Sequence, residues 1–134
     1  MADETIDKLA WVYLKEGKIL CTRSKGKDMF YMPGGKREKG ETDAQALARE
    51  LKEELTIELI PNSMKRVGIF EAQAHGKPEG TIVKLQCYSG DFKGAIKPAS
   101  EVAEAAWLSY SDRDRVSLVG QLLFDWLKQR NLLK

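Results

Sequence analysis

The sequence predicts an α+β fold in which a mixed β-sheet carries two helices. Three observations predict it. Short apolar runs broken by turn residues fill the first part of the chain, the period becomes helical from Thr42 to Leu55, and a second helical stripe closes the sequence. At 134 residues the chain is expected to make one domain, residues 1–134, large enough to bury its own core.

In chain order, residues 8–14 and 18–23 are apolar runs separated by Lys15-Glu16-Gly17, the pattern of a hairpin. Ser24 to Asp28 reads as a polar loop. Phe30-Tyr31-Met32 is a short strand that Pro33-Gly34-Gly35 must end. Across Thr42–Leu55, Ala44, Leu47, Leu51 and Leu55 recur at three- and four-residue steps, and Thr42 with Gln45 has the spacing of a capping box. Val67–Phe70, Thr81–Tyr88 and Ala105–Leu108 read as strands, giving roughly six in all. From Asp114 to Arg130 the chain reads as helix, with Val119, Leu122, Leu123, Trp126 and Leu127 as its apolar stripe.

Composition excludes several classes. With 43% hydrophobic residues and a net charge of +2, the chain has enough apolar surface to offset the entropy of ordering. The longest apolar stretch, Leu9 to Leu14, is far shorter than the roughly 18 residues of a spanning helix. No membrane association is expected. Met1-Ala2-Asp3-Glu4-Thr5 has neither a basic nor an apolar export region, so a cytoplasmic location is expected. Cys21 and Cys87 lie singly in apolar segments and read as buried thiols. The near-neutral balance gives no reason for a stable nucleic-acid complex.

That balance conceals a segregation. Between Glu41 and Glu58 six acids face only Arg49 and Lys52, a local balance of −4, whereas residues 15–39 carry eight Lys or Arg against three acids, a local +5. A helix advances about 100° per residue, so Glu50, Glu53 and Glu54 share one edge. Like charges at this spacing repel unless a cation sits among them, and Mg²⁺ suits an all-oxygen ligand set completed by water and phosphate.

Gly35, then Glu41 six residues on, then Arg49-Glu50-Leu51-Lys52-Glu53-Glu54 from eight further on, resembles the signature of the Nudix hydrolases. The signature runs Gly, five residues, Glu, seven residues, Arg-Glu-apolar-any-Glu-Glu-any-Gly-apolar. One position departs. Thr56 stands where the signature has Gly, and a β-branched residue resists the left-handed conformation that ends many helices, so the helix is expected to end in a different turn.

The resemblance implies an α/β/α sandwich with a motif helix and a C-terminal helix. It implies Glu50, Glu53 and Glu54 as ligands of Mg²⁺, with Mn²⁺ as a substitute, and Glu53 or Glu54 as a base acting on water. A further acid is expected from the loop before a late strand; Glu101 is preferred to Glu104, which adjoins the strand and reads as solvated. Gly35, Glu41 and Arg49 would be structural, Arg49 pairing with Glu41 to hold the loop against the helix. Arg23 is the best phosphate-binding candidate, and Gly34 with Gly35 is expected to form a tight turn that brings backbone to the metal site. His75 reads as a solvated loop residue, and Phe30 and Tyr31 as strand packing or as platforms for a base. The implied activity is hydrolysis of a nucleoside diphosphate linked to another moiety: a nucleoside triphosphate, a sugar-nucleotide or a dinucleotide. The partner is a small nucleotide, the assembly a monomer or homodimer. The alternative is a related module that binds or senses a nucleotide without cleaving it.

Overall fold

The computed structural model describes residues 4–134, so Met1, Ala2 and Asp3, on which the export reading partly rests, lie outside the described residues. The strands are β1 (Thr5–Trp11), β2 (Leu14–Lys15), β3 (Lys18–Ser24), β4 (Phe30–Tyr31), β5 (Gly34–Lys36), β6 (Glu58–Leu59), β7 (Lys65–Gln73), β8 (Ile82–Ser89), β9 (Phe92–Lys93) and β10 (Val102–Leu108). The helices are α1 (Asp43–Leu55) and α2 (Leu118–Gln129).

One mixed sheet has the order β5-β1-β8-β7, with β1 and β8 parallel and its other pairs antiparallel. A second sheet has the order β10-β3-β2, with β4 also on β3, and β6 pairs with β9. Because side chains alternate along a strand, β1 feeds two cores. Leu9 and Trp11 pack with Leu47, Leu51 and Leu55 of α1, whereas Ile6 and Ala10 pack with Leu123, Phe124 and Leu127 of α2. The first sheet is thereby covered on one face by α1 and on the other by the second sheet and α2.

The hairpin expected from residues 8–14 and 18–23 does not form as such. The run is long enough to serve both sheets. Val12 N–H still donates to Tyr88 O of the first sheet at 2.8 Å, while Tyr13 O already accepts from Leu20 N–H of the second at 3.0 Å. Only Leu14-Lys15 turns back onto β3, through Glu16 and Gly17, whose φ values of 53° and 78° match the tight turn that two-residue hairpins favour.

Helix α1 begins as expected, with Thr42 and Gln45 forming both bonds of a capping box. Its end corrects the expectation. Thr56 adopts the left-handed conformation, φ 63° and ψ 29°, and its N–H donates to Lys52 O at 3.2 Å. Its Oγ1 donates to Lys97 O at 2.9 Å, a bond glycine cannot make, which offsets the cost of about 1–2 kcal/mol for that conformation.

The C-terminal helix is shorter than expected. Tyr110–Arg115 is a 3₁₀ segment, and α2 starts only at Leu118. Its buried face is Val119, Gly120, Leu123, Phe124 and Leu127, so Phe124 replaces Leu122, which is 41% exposed. Cys21 and Cys87 are buried free thiols, and burial pushes the Cys87 thiol up to about 12. Among the described residues no helix is long and apolar enough to cross a membrane.

Candidate active site

The Gly34-Gly35 segment is not the expected turn but the edge strand β5, antiparallel to β1, with Gly35 opposite Leu9 and Gly34 opposite Ala10. Pairing to β1 supplies the order that two glycines lack. The close approach expected of them is nevertheless present. Gly34 sits at φ 139°, where a Cβ would fall 2.0 Å from Leu9 O, and a Cβ on Gly35 would fall 2.3 Å from Glu50 Oε2. The missing side chain of Gly35 leaves room for the Glu50 carboxylate of α1, and Gly34 N–H donates to Glu54 Oε1 at 3.0 Å.

Arg49 organises the flank. Its Nε and Nη2 donate to the two oxygens of Glu41 at 2.7 and 2.9 Å, its Nη1 to Glu50 Oε1 at 2.7 Å, and its Nη2 also to Lys36 O at 3.0 Å. One guanidinium thus joins the loop, β5 and α1, as the fork geometry of arginine permits. These bonds, with one from Glu38 N–H, hold the Glu41 carboxyl down to about 2.

The helix acids differ sharply in setting. Burial pushes Glu54 up to about 8, with the charges of Glu50 and Glu53 adding to the effect against the Gly34 N–H. Burial also raises Glu50, opposed by Arg49. Glu53 stands apart, its side chain 53% exposed and its Oε1 3.6 Å from Arg49 Nη1. Among the described residues no three Asp, Glu, His or Cys side chains are gathered into a ready metal cluster. Even so, the donors fit a hard divalent cation: two all-oxygen carboxylates half-buried together, one of them forced toward its neutral form, are what such a charge stabilises.

Beside Glu54 opens a cavity of about 240 Å³. Gly34, Gly35 and Lys36 of β5 contribute to its wall with Lys8 and Tyr31; Ile6, Met32, Val83, Leu85 and Val119 supply apolar lining. Gln73 at the end of β7, with Ala74, His75 and Lys77 from the connection to β8, completes it. The exposed His75 therefore borders the cavity. Ser117 also lines it; its buried Oγ is, among the described residues, the one buried side-chain polar atom without a hydrogen-bond partner. Tyr31 is half-buried on this wall, with Lys8 Nζ 5.6 Å from its ring centroid, whereas Phe30 is core.

Two expected residues lie elsewhere. Arg23 alternates with Thr22 and Ser24, which line the cavity, and its own guanidinium is engaged by Glu104 at 2.9 Å and Lys27 O at 2.9 Å. The phosphate-binding candidate Arg23 and the acid Glu104, read as solvated, thus form a surface ion pair, with side chains 29% and 47% exposed. Glu101 is exposed and off the cavity wall. Its loop docks on the end of α1, where Lys97 N–H donates to Leu55 O and Ala99 N–H to Glu54 O, each at 2.9 Å.

Lys8 is the cavity residue that sequence reasoning missed. Its signal was present: Ile6, Lys8 and Ala10 share a strand face, and a lone charge on an otherwise apolar face marks a cavity or a partner.

The family model described as the NUDIX domain matches residues 7–126. The chain is 32% identical over 109 residues to the CTP pyrophosphohydrolase of Escherichia coli K12, covering 78% of this chain and 76% of that one. It is 26% identical over 121 residues to the ADP-ribose pyrophosphatase of Methanocaldococcus jannaschii, covering 87% and 70%. The solution structure of the E. coli ORF135 protein superposes with a TM-score of 0.74 at 27% identity, covering 96% of this chain and 92% of that one. With the motif, the sandwich and the family match agreeing, the chain belongs to the Nudix family of hydrolases acting on phosphoric anhydride bonds.

Proposed function

We propose that residues 1–134 form one catalytic domain, a Mg²⁺-dependent pyrophosphohydrolase with Mn²⁺ as a substitute metal. Its substrate is a small nucleotide: a nucleoside diphosphate linked to another moiety. The observation that carries this reading is the placement of Glu50 and Glu54 against the glycine strand, with Glu54 opening directly into a cavity that has cationic and apolar walls.

Glu50, Glu53 and Glu54 would hold the cation, which when bound neutralises phosphate oxygens and lowers the pKa of water. Glu54 Oε1 is oriented by Gly34 N–H, leaving Oε2 to accept a proton from the attacking water. Arg49 fixes Glu50 and the loop carrying Glu41, so that the acids are placed before substrate arrives. Glu101, on the loop that docks on the end of α1, is the further acid. Tyr31 offers a face for the base, and Ser117 Oγ a hydrogen bond to its edge. Buried thiols and a nucleotide substrate suit the cytoplasm, and both a monomer and a homodimer suit the site, which one chain supplies.

The test is a hydrolysis screen over CTP, other nucleoside triphosphates, ADP-ribose and diadenosine polyphosphates with Mg²⁺, run in ¹⁸O water to locate the attacked phosphorus. Turnover that Glu54→Gln abolishes is expected. Tight nucleotide binding with no cleavage in either Mg²⁺ or Mn²⁺ would instead identify a sensing module.

A further inference from the structure

A second guanidinium holds the loop that carries Glu41. Arg37 stands at one of the five positions between Gly35 and Glu41 that the signature leaves open, yet its three nitrogens bond three different parts of the fold. Nε donates to Asp7 Oδ2 of β1 at 3.1 Å, Nη1 to Glu41 O of the loop at 3.1 Å, and Nη2 to Asp43 Oδ1 at the start of α1. Both carboxylates are anchored in turn. Asp7 Oδ1 accepts from Gln86 Nε2 of β8 at 2.8 Å, and Asp43 Oδ2 accepts from the Tyr88 hydroxyl, which itself accepts from Arg66 Nη2 at 2.8 Å. Arg37, Asp7 and Asp43 are all partly exposed, so water screens their ion pairs and the contribution to stability is small. The effect of the fork is geometric. Glu41 is held twice: Arg37 takes its backbone carbonyl, and Arg49 takes its carboxylate while also bonding Glu50.

We propose that Arg37 is a positioning residue: by tying the loop of residues 37–42 to β1 and α1 it fixes Glu41, and through Arg49 it fixes the Glu50 carboxylate beside Gly35. The effect on turnover rests on the pyrophosphohydrolase reading; the effect on the loop rests on the contacts alone. A displaced loop is felt at Glu50 because Arg49 bonds Glu41 and Glu50 together only while Glu41 keeps its place. Arg37 does not line the cavity beside Glu54, so it acts on the acids and not on the bound nucleotide.

The experiment compares the wild type with Arg37→Gln, Arg37→Lys and Arg66→Gln, the last cutting the outer end of the same network without touching Arg37. With CTP and with ADP-ribose in Mg²⁺, Arg37→Gln is expected to lower kcat about 10-fold and to leave KM within about 3-fold, alike for both nucleotides. Arg37→Lys, which keeps the charge and loses the fork, should lose nearly as much, whereas Arg66→Gln should stay within about 2-fold of wild type. A rise in KM with kcat unchanged, unaltered kinetics, or an equal loss in Arg66→Gln overturns the proposal. A second arm follows amide hydrogen exchange by NMR in the metal-free protein. The N–H groups of Glu38 and Glu41, which bond Glu41 Oε1 and Glu38 O, should exchange at least about 10-fold faster in Arg37→Gln, while Leu47 and Leu51 of α1 keep wild-type protection. Unchanged exchange at Glu38 and Glu41 overturns the proposal. This arm decides even if the wild type cleaves neither nucleotide, an outcome that counts against the enzymatic reading alone.

Discussion

Gly35 and Glu50 share one volume: a Cβ at position 35 would lie 2.3 Å from Glu50 Oε2. No left-handed φ is required at Gly35, so its substitution acts through that contact and not through backbone strain. Gly35→Ala should displace the Glu50 carboxylate by a fraction of an ångström or more. A loss of about 100-fold in kcat is expected, since a shift near 1 Å can cost that much. Steady-state kinetics beside a melting curve will check it; kcat within 3-fold of wild type would contradict the packing argument.

Arg49→Lys keeps the charge but loses the fork. A single ammonium cannot bond both oxygens of Glu41, Glu50 and Lys36 O together. We expect the unfolding temperature to fall by about 5 °C and turnover by about 10- to 100-fold, with Glu41→Gln adding little to the double variant. Additive losses in the double-mutant cycle would show that the two residues act separately.

Glu54 sets a pH dependence of the metal-free protein. Its carboxyl is pushed up by burial from an ordinary 4.5 to about 8, and Glu50 is raised in the same direction. Between those pH values the folded chain retains a proton that the unfolded chain has released. Stability therefore falls as pH rises from about 4.5 to 8. Melting curves in chelator at pH 5 and pH 8 should show the drop, with Glu54→Gln reducing the slope and melting higher at pH 8. A wild-type unfolding temperature that rises across this window would refute the assignment.

Thr56 trades backbone strain against the bond from its Oγ1 to Lys97 O. Thr56→Gly removes both and should change stability by less than about 1 kcal/mol; Thr56→Val keeps the strain, loses the bond and should cost about 1–2 kcal/mol. Chemical denaturation of both variants checks the order.

What the sequence revealed was what neighbours in the chain decide. The cap at Thr42, the Leu47, Leu51 and Leu55 row of α1 and the spacing from Gly35 to Glu54 are local, and each stands where the residues imply, with Ala46 buried in place of the expected Ala44. What it concealed depends on partners far along the chain. Two glycines carry no strand propensity, and Gly34-Gly35 becomes β5 only because β1 lies beside it. The ion pair of Arg23 with Glu104 joins residues far apart in the chain, and the cavity beside Lys8 is completed only by β5 and the Gln73–Lys77 segment. The apolar run from Leu9 to Leu14 gives no sign that it crosses between sheets, because either sheet alone would accept it.

The parallel pairing of β1 with β8 carries a kinetic consequence. Thr5 meets Ile82 and Trp11 meets Tyr88, so β1 waits for a partner synthesised much later. The loop closed by that pairing encloses α1, β3 and β5, and its entropy must be spent before the pairing is rewarded. The acidic helix can therefore form early as a local turn sequence, but its carboxylates meet the glycine strand only once β8 has locked β1. Refolding should accordingly be slow for a chain of this size, and activity should return in step with the sheet and not with helical signal.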